Sequence, residues 1–156
     1  MIKIREAKLK DLKSIQKLAL LLFEKEYKEW DKTLDLKWAF GEKGTKYFKK
    51  RIENENSYVL VATENNNMVG CRIGTISKPE EFRIQSKYAE AELMFVLPEF
   101  RSKGIGTKML NQFIGWCKEK GVKRIKLITH AKNKEAHKLD RKMGFEDYDL
   151  VFEKEI

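Results

Sequence analysis

Cysteine is nearly absent from this chain, which has two, Cys71 and Cys117, in 156 residues. Each falls inside an apolar pattern, and their spacing fits neither a metal-ligand motif nor a disulfide framework. No metal is expected, and the thiols read as reduced. Long apolar runs are missing too. No stretch reaches the roughly 18 consecutive apolar residues of a membrane-spanning helix, and the opening MIKIREAKLKDLK lacks the apolar core of a secretory signal. These absences make a cytoplasmic protein with no membrane partner the expectation. Internal repeats, linkers, zinc-finger spacing and the aromatic signature of an RNA-recognition motif are also missing.

What is present suits one globular domain over residues 1–156. Hydrophobic residues make up 42% and charged residues 37%. A domain of this length buries about 68–70% of its unfolded-chain surface, enough for a single core. The formal charge of +9 attracts polyanions. It also motivates a rival reading as a basic nucleic-acid-binding module. The lysines are spread along the whole chain rather than blocked, so a solvated lysine-rich surface accounts for them without nucleic acid.

Hydrophobic periodicity supplies the elements. Ile2–Arg5 alternates as a half-buried strand. Asp11 is placed to cap a helix running to about Tyr27, with Leu12, Ile15, Ala19, Leu22 and Phe23 inward. A second helix is expected over Thr45–Asn54. Tyr58–Thr63 and Met68–Ser77 read as a hairpin around an asparagine-rich turn. After the polar stretch Lys78–Lys87 come a strand to Leu97, a helix to Gly121, a strand near Lys126–His130, a helix over 133–144 and a closing strand, Tyr148–Ile156. This order predicts an α/β (α+β) fold, a mixed sheet with helices on both faces.

The chain is organised around Glu92–Gly121, ELMFVLPEFRSKGIGTKMLNQFIGWCKEKG. Pro98 ends an apolar strand because it has no ladder N–H. Arg101, Ser102, Lys103, Gly104, Ile105, Gly106 and Thr107 then lead into an amphipathic helix. The first N–H groups of a helix lack partners and carry partial positive charge. Gly104 and Gly106 lack Cβ and let a bulky anion come close. Arg101 and Lys103 add full charge. These features describe a diphosphate-binding turn. It is neither a Walker loop nor a Gly-x-Gly-x-x-Gly fingerprint.

The turn resembles the Arg/Gln-x-x-Gly-x-Gly/Ala motif of the GNAT superfamily of acyl-CoA-dependent N-acetyltransferases, where it holds the pyrophosphate of coenzyme A. Asn133–Phe145, NKEAHKLDRKMGF, is similar to that family's Asn-led helix. The resemblance covers Glu92–Phe145 directly. It implies a GNAT-like, mostly antiparallel sheet of about seven strands with a splay between the fourth and fifth. Acyl-CoA would enter that splay with its thioester against Met94, Phe95 and Val96, and Asn133 would cap the helix and contact pantetheine. The implied reaction is acetyl transfer from acetyl-CoA to a primary amine.

Within that scheme Glu92 is the first candidate for a base that deprotonates the amine, with Glu90 on the same strand face. Glu24–Phe40 has two readings, a helix end and loop whose aromatics close over the core, and, at Tyr27, Trp30 and Asp31, an acceptor wall, aromatic and anionic, suited to an ammonium. Asp140 stands where the family commonly has a tyrosine that protonates the leaving thiolate, and an ionised aspartate donates no proton. That departure motivates a second reading, a non-catalytic acyl-CoA sensor. His130 and His137 match no catalytic position. The amine's identity, the acyl length and the oligomeric state, a homodimer included, are open.

Overall fold

A computed structural model describes residues 1–156. Its strands are β1 (Lys3–Glu6), β2 (Ser57–Glu64), β3 (Asn67–Ser77), β4 (Tyr88–Val96) and β5 (Arg124–Leu127), and its helices are α1 (Leu12–Glu29), α2 (Glu42–Glu53), α3 (Ile105–Glu119) and α4 (Lys134–Lys142). The strands form one open sheet in the order β1-β2-β3-β4-β5. All neighbours are antiparallel except β4 and β5, which run parallel. The β2–β3 turn follows from its asparagines. Asn65 and Asn66 take φ of 49° and 66°, the left-handed pair that a two-residue hairpin turn requires.

Two expectations are corrected. The sheet has five strands rather than about seven, because β5 stops at Leu127 and Tyr148–Ile156 adds no strand. Tyr148 is held elsewhere. The Arg83 guanidinium donates to its hydroxyl at 3.2 Å, and Arg124 lies over its ring at 5.0 Å. The tail beyond it lies in solvent, with Phe152 89% exposed. The second correction concerns Asp11, whose carboxylate makes no cap on α1. Asp11 already has helical φ and ψ, so its side chain turns back to accept from Arg5 at 2.7 and 2.9 Å and from the Lys8 N–H at 2.8 Å.

Helices α1 and α2 cover one sheet face, where Ile15, Leu18, Ala19 and Phe48 meet Val59, Val61, Cys71, Ile73, Leu93 and Phe95. Helix α3 covers the other face. Its Ile105 and Met109 pack on Leu60, Val69 and Val96, and its Leu110, Phe113 and Cys117 pack on Ala89 and Ala91. Phe113 seats directly on Gly74, where an added Cβ would come within 2.1 Å of the ring. Phe113 is fully buried, and Phe113→Ala is expected to cost about 3–5 kcal/mol in chemical denaturation, the usual range for such truncations.

Both cysteines are buried and unpaired. Burial pushes the Cys71 thiol up to about 12 and the Cys117 thiol up to about 11. Since the thiolate is the reactive form, neither is expected to take up iodoacetamide until the protein unfolds, which mass spectrometry with and without denaturant checks.

Candidate active site

The site begins where two strands part. β5 pairs with β4 only from Tyr88 to Ala91, so from Glu92 onward the outer edge of β4 has no strand beside it. A bulge sits at the same point. Ile73 pairs with Leu93 and Gly74 with Ala91, which leaves Glu92 as the extra residue. The bulge puts Glu92 and Leu93 on the same α1–α2 face, since Leu93 packs in that core and Glu92 reaches α2. Further along, the Leu97 N–H donates to Val69 on the β3 side at 2.9 Å. By alternation, the N–H groups of Met94 and Val96 face the gap, while that of Phe95 faces β3.

At the end of β4, Pro98–Phe100 makes a 3₁₀ turn, and the Arg101 Nε donates to the Val96 carbonyl at 2.9 Å to close it. Arg101 also lies over the Phe95 ring, and Lys103 over the Phe100 ring. Ser102 and Gly104 take φ of 59° and 76°, both in the left-handed region. The first backbone bond of α3 runs from Lys108 to the Gly104 carbonyl at 2.9 Å. None of the N–H groups from Ser102 to Thr107 has a protein acceptor. A Cβ on Gly104 would meet nothing within 4 Å, so the space above it is open. Gly106 plays another part, as a Cβ there would touch Met94 at 3.4 Å and Leu139 of α4 at 3.6 Å. It lets α3 sit close to β4 and α4.

Between the parted strands lies a cleft whose lining includes Glu26 of α1, Arg72 of β3, Glu92 and Met94 of β4, Leu127 of β5, and Asn133 and Asp140 of α4. Asn133 caps α4, its Oδ1 accepting the Ala136 N–H at 3.2 Å. The carboxylates differ in character. Glu92 accepts from the Tyr47 hydroxyl at 2.6 Å and, in bidentate fashion, from Arg51 at 2.7 and 2.7 Å. Burial, together with the hydrogen bond to Glu92, pushes the Tyr47 phenol well above its ordinary range. Glu26 has no such partners. Burial raises its carboxyl above the usual glutamate range, against the pull of His130 and Lys25. Asp140 is likewise raised by burial, opposed by Arg72 and His137.

The Asp140 shift sets a pH dependence. A carboxyl raised in the folded state binds more protons folded than unfolded between its two pKa values, so stability falls as pH rises through that window. Above the folded value the penalty is complete. Asp140→Asn is therefore expected to raise the melting temperature near neutral pH and to lose that advantage below about pH 3.9, where the unfolded carboxyl is also protonated. Calorimetry at both pH values reads the difference.

The expected acceptor wall does not line this cleft. Tyr27 lies under Lys32, Asp31 accepts from the backbone and hydroxyl of Thr33 at 2.9 and 2.6 Å, and Glu90 accepts from Tyr88 at 3.0 Å. Trp30 stacks on His130, with ring centroids 5.4 Å apart, and so ties the end of α1 to the segment after β5. Glu26 and Arg72, unmarked as site residues by the sequence, line the cleft instead, and Tyr47 and Arg51 are joined to it through their bonds to Glu92. Arg72 alone left a signal, as a lone charge in the apolar run Val69–Ile76.

Residues 17–145 match the Acetyltransferase (GNAT) family. The chain belongs to that family. It is 31% identical over 137 residues to an uncharacterized N-acetyltransferase of Methanocaldococcus jannaschii, a match covering 85% of this chain and 57% of that protein's length. A second uncharacterized N-acetyltransferase, from Bacillus subtilis, is 31% identical over 147 residues, covering 92% of this chain and 89% of the relative. Among solved structures, a tetramutant of a Bacillus halodurans protein superposes with a TM-score of 0.85 at 19% identity, covering 99% of each chain. An aminoglycoside N-acetyltransferase in complex with CoA superposes with a TM-score of 0.75 at 17% identity, also covering 99% of each. These superpositions share the GNAT fold.

Proposed function

We propose that this GNAT protein is an acetyl-CoA-dependent N-acetyltransferase that moves the acetyl group directly from the thioester to a primary amine. The observation that carries this reading is a pair of features on one strand: a cleft lined by carboxylates and Asn133 where β4 leaves β5, and unpartnered N–H groups in the turn that follows the end of β4. The diphosphate would lie on the N–H groups of Ser102–Thr107, with Lys103 adding charge. Pantetheine would follow the free edge of β4 past Val96 and Met94 toward Asn133. One of the two edge N–H groups facing the gap would then bind the thioester oxygen, whose negative charge grows as the amine attacks. A solved relative of the same fold binds CoA, and another of the same enzyme holds a bisubstrate analog of CoA and acetylneamine.

On the amine side the two carboxylates would divide the work. An alkyl ammonium of pKa near 10.4 gives up its proton near pH 7 at a cost of about 4–5 kcal/mol. Glu26, its proton affinity already raised by burial, is the better-placed acceptor for that proton. Glu92, the sequence reading's first choice, has most of its lone pairs filled by Arg51 and Tyr47 and suits the anchoring of an ammonium. A pair of carboxylates favours a cationic acceptor, a small polyamine-like molecule or a lysine-bearing peptide. Thermal unfolding tests the donor half: coenzyme A at about 100 times its Kd should add roughly 2.7 kcal/mol of stability. No stabilisation, together with salt-sensitive RNA binding, would favour the nucleic-acid module instead.

A further inference from the structure

Arg72 is 3% exposed, and its guanidinium is nearly unpartnered. Its Nε has no hydrogen-bond partner, one terminal nitrogen donates to the Met94 thioether at 3.1 Å, and it joins none of the ion pairs within 4.0 Å. The carboxylate that acts on it electrostatically is Asp140, itself a raised carboxyl. Burying a cation without an anion is costly, by several kcal/mol even after relaxation. A site that keeps one has an anion to receive. Arg72 lines the same cleft as Asn133 and Asp140 and stands in register with Met94 on β4.

The faces of the sheet say which anion. Cys71 and Ile73 belong to the α1–α2 core, so Arg72 between them projects to the face of α3 and α4. Glu26 and Glu92 approach from the α1–α2 side. The cleft thus has an anionic wall for an ammonium and a cationic point across the sheet from it. The diphosphate turn at Gly104 lies at the end of β4, past Val96, whereas Arg72 stands beside Met94.

Building on the proposed activity, we propose that the Arg72 guanidinium receives the coenzyme A sulfur as a thiolate, as a catalytic residue that touches the leaving group. The amine lone pair attacks the thioester carbon, and the C–S bond breaks with its electron pair passing to sulfur. The proton leaves nitrogen for the Glu26 carboxylate or water, and then for bulk solvent. Sulfur departs unprotonated beside Arg72, so the step needs no proton donor at Asp140. A guanidinium suits this task because it is weakly hydrated and presents several N–H groups in one plane.

The test is the titration of the bound thiol, read by the ultraviolet absorbance of the thiolate, with desulfo-coenzyme A as the blank. The other titratable groups around the cleft are Glu26, Glu92, Asp140, His130 and His137, and the blank removes their indirect contribution. Cys71 and Cys117, at about 12 and 11, stay silent in the working range. A free cysteine thiol titrates near 8.5, and cationic surroundings, an adjacent arginine among them, lower such values to about 3.5–7.5. The wild-type complex is expected to fall in that lower range. Arg72→Met should return the bound thiol to its free value or above, while binding coenzyme A equally well where the thiol is neutral. Arg72→Lys should retain part of the shift. A wild-type complex whose thiol titrates at the free value overturns the assignment, whether or not the variants fold. Equal shifts in wild type and Arg72→Met overturn it as well. Failure of coenzyme A to bind at all overturns the proposed function along with it.

Discussion

Coenzyme A affinity should fall about 10²–10⁴-fold in Gly104→Val, the loss of roughly two charge-assisted hydrogen bonds worth about 1.5–3 kcal/mol each. The space above Gly104 is empty, so nothing within the protein would clash with the new side chain. The obstruction falls on the ligand. Gly104 has a φ of 76°, a conformation that costs a β-branched residue about 1–3 kcal/mol. Some loss of melting temperature therefore accompanies the substitution. Gly104→Ala carries less of that strain and a smaller obstruction. Titration calorimetry with coenzyme A on folded samples of both variants separates the effects: binding should weaken in the order glycine, alanine, valine. Unchanged affinity in the valine variant would remove the turn from the diphosphate site.

Glu26→Gln should lower kcat/KM by about 10²–10⁴ near neutral pH, the usual worth of a general base. Much of that loss should recover at high pH, where the amine arrives already neutral. Glu92→Gln has a different signature. It weakens the ion pair with Arg51 and the contact with Tyr47, so the KM for the amine should rise while the slope of the pH profile stays as in wild type. Profiles of kcat/KM against pH for both variants decide between them. A neutral-pH loss confined to Glu92→Gln, with Glu26→Gln at wild-type rates, would return the base to Glu92.

The elements of the proposed donor half were legible because their pattern is local. A strand stopped by proline, an Arg-Ser-Lys-Gly-Ile-Gly turn and an apolar-faced helix are properties of consecutive residues, and the structure sets them in order as β4, the Pro98–Phe100 turn and α3. Asn133 was legible for the same reason, since a cap acts within three residues of itself. The acceptor half was not. Glu26, Tyr47, Arg51 and Arg72 come from three elements, α1, α2 and β3, and only the folded chain brings Glu26 and Arg72 to the cleft and Tyr47 and Arg51 to Glu92. Aromatic and acidic residues between Tyr27 and Asp31 looked like a pocket wall but meet Lys32, His130 and Thr33 near the end of α1. Glu92 was legible as a carboxylate at the right strand position, but the bidentate hold of Arg51, 41 residues away, was not. The missing closing strand has a similar origin. The apolar residues of Tyr148–Ile156 describe a segment able to pair, but pairing is decided by distant partners, and Tyr148 is held by Arg83 and Arg124 instead.

The central claim is transfer of acetyl to an amine at the parting of β4 and β5. Incubating the protein with acetyl-CoA and pooled polyamines, aminoglycosides, amino acids and lysine peptides, then reading products by mass spectrometry alongside thiol release, tests it most directly. Acetylated product in step with free thiol is expected for at least one cationic amine, abolished in Gly104→Val. Thiol release without any acetylated amine, or tight coenzyme A binding with neither product, would contradict it.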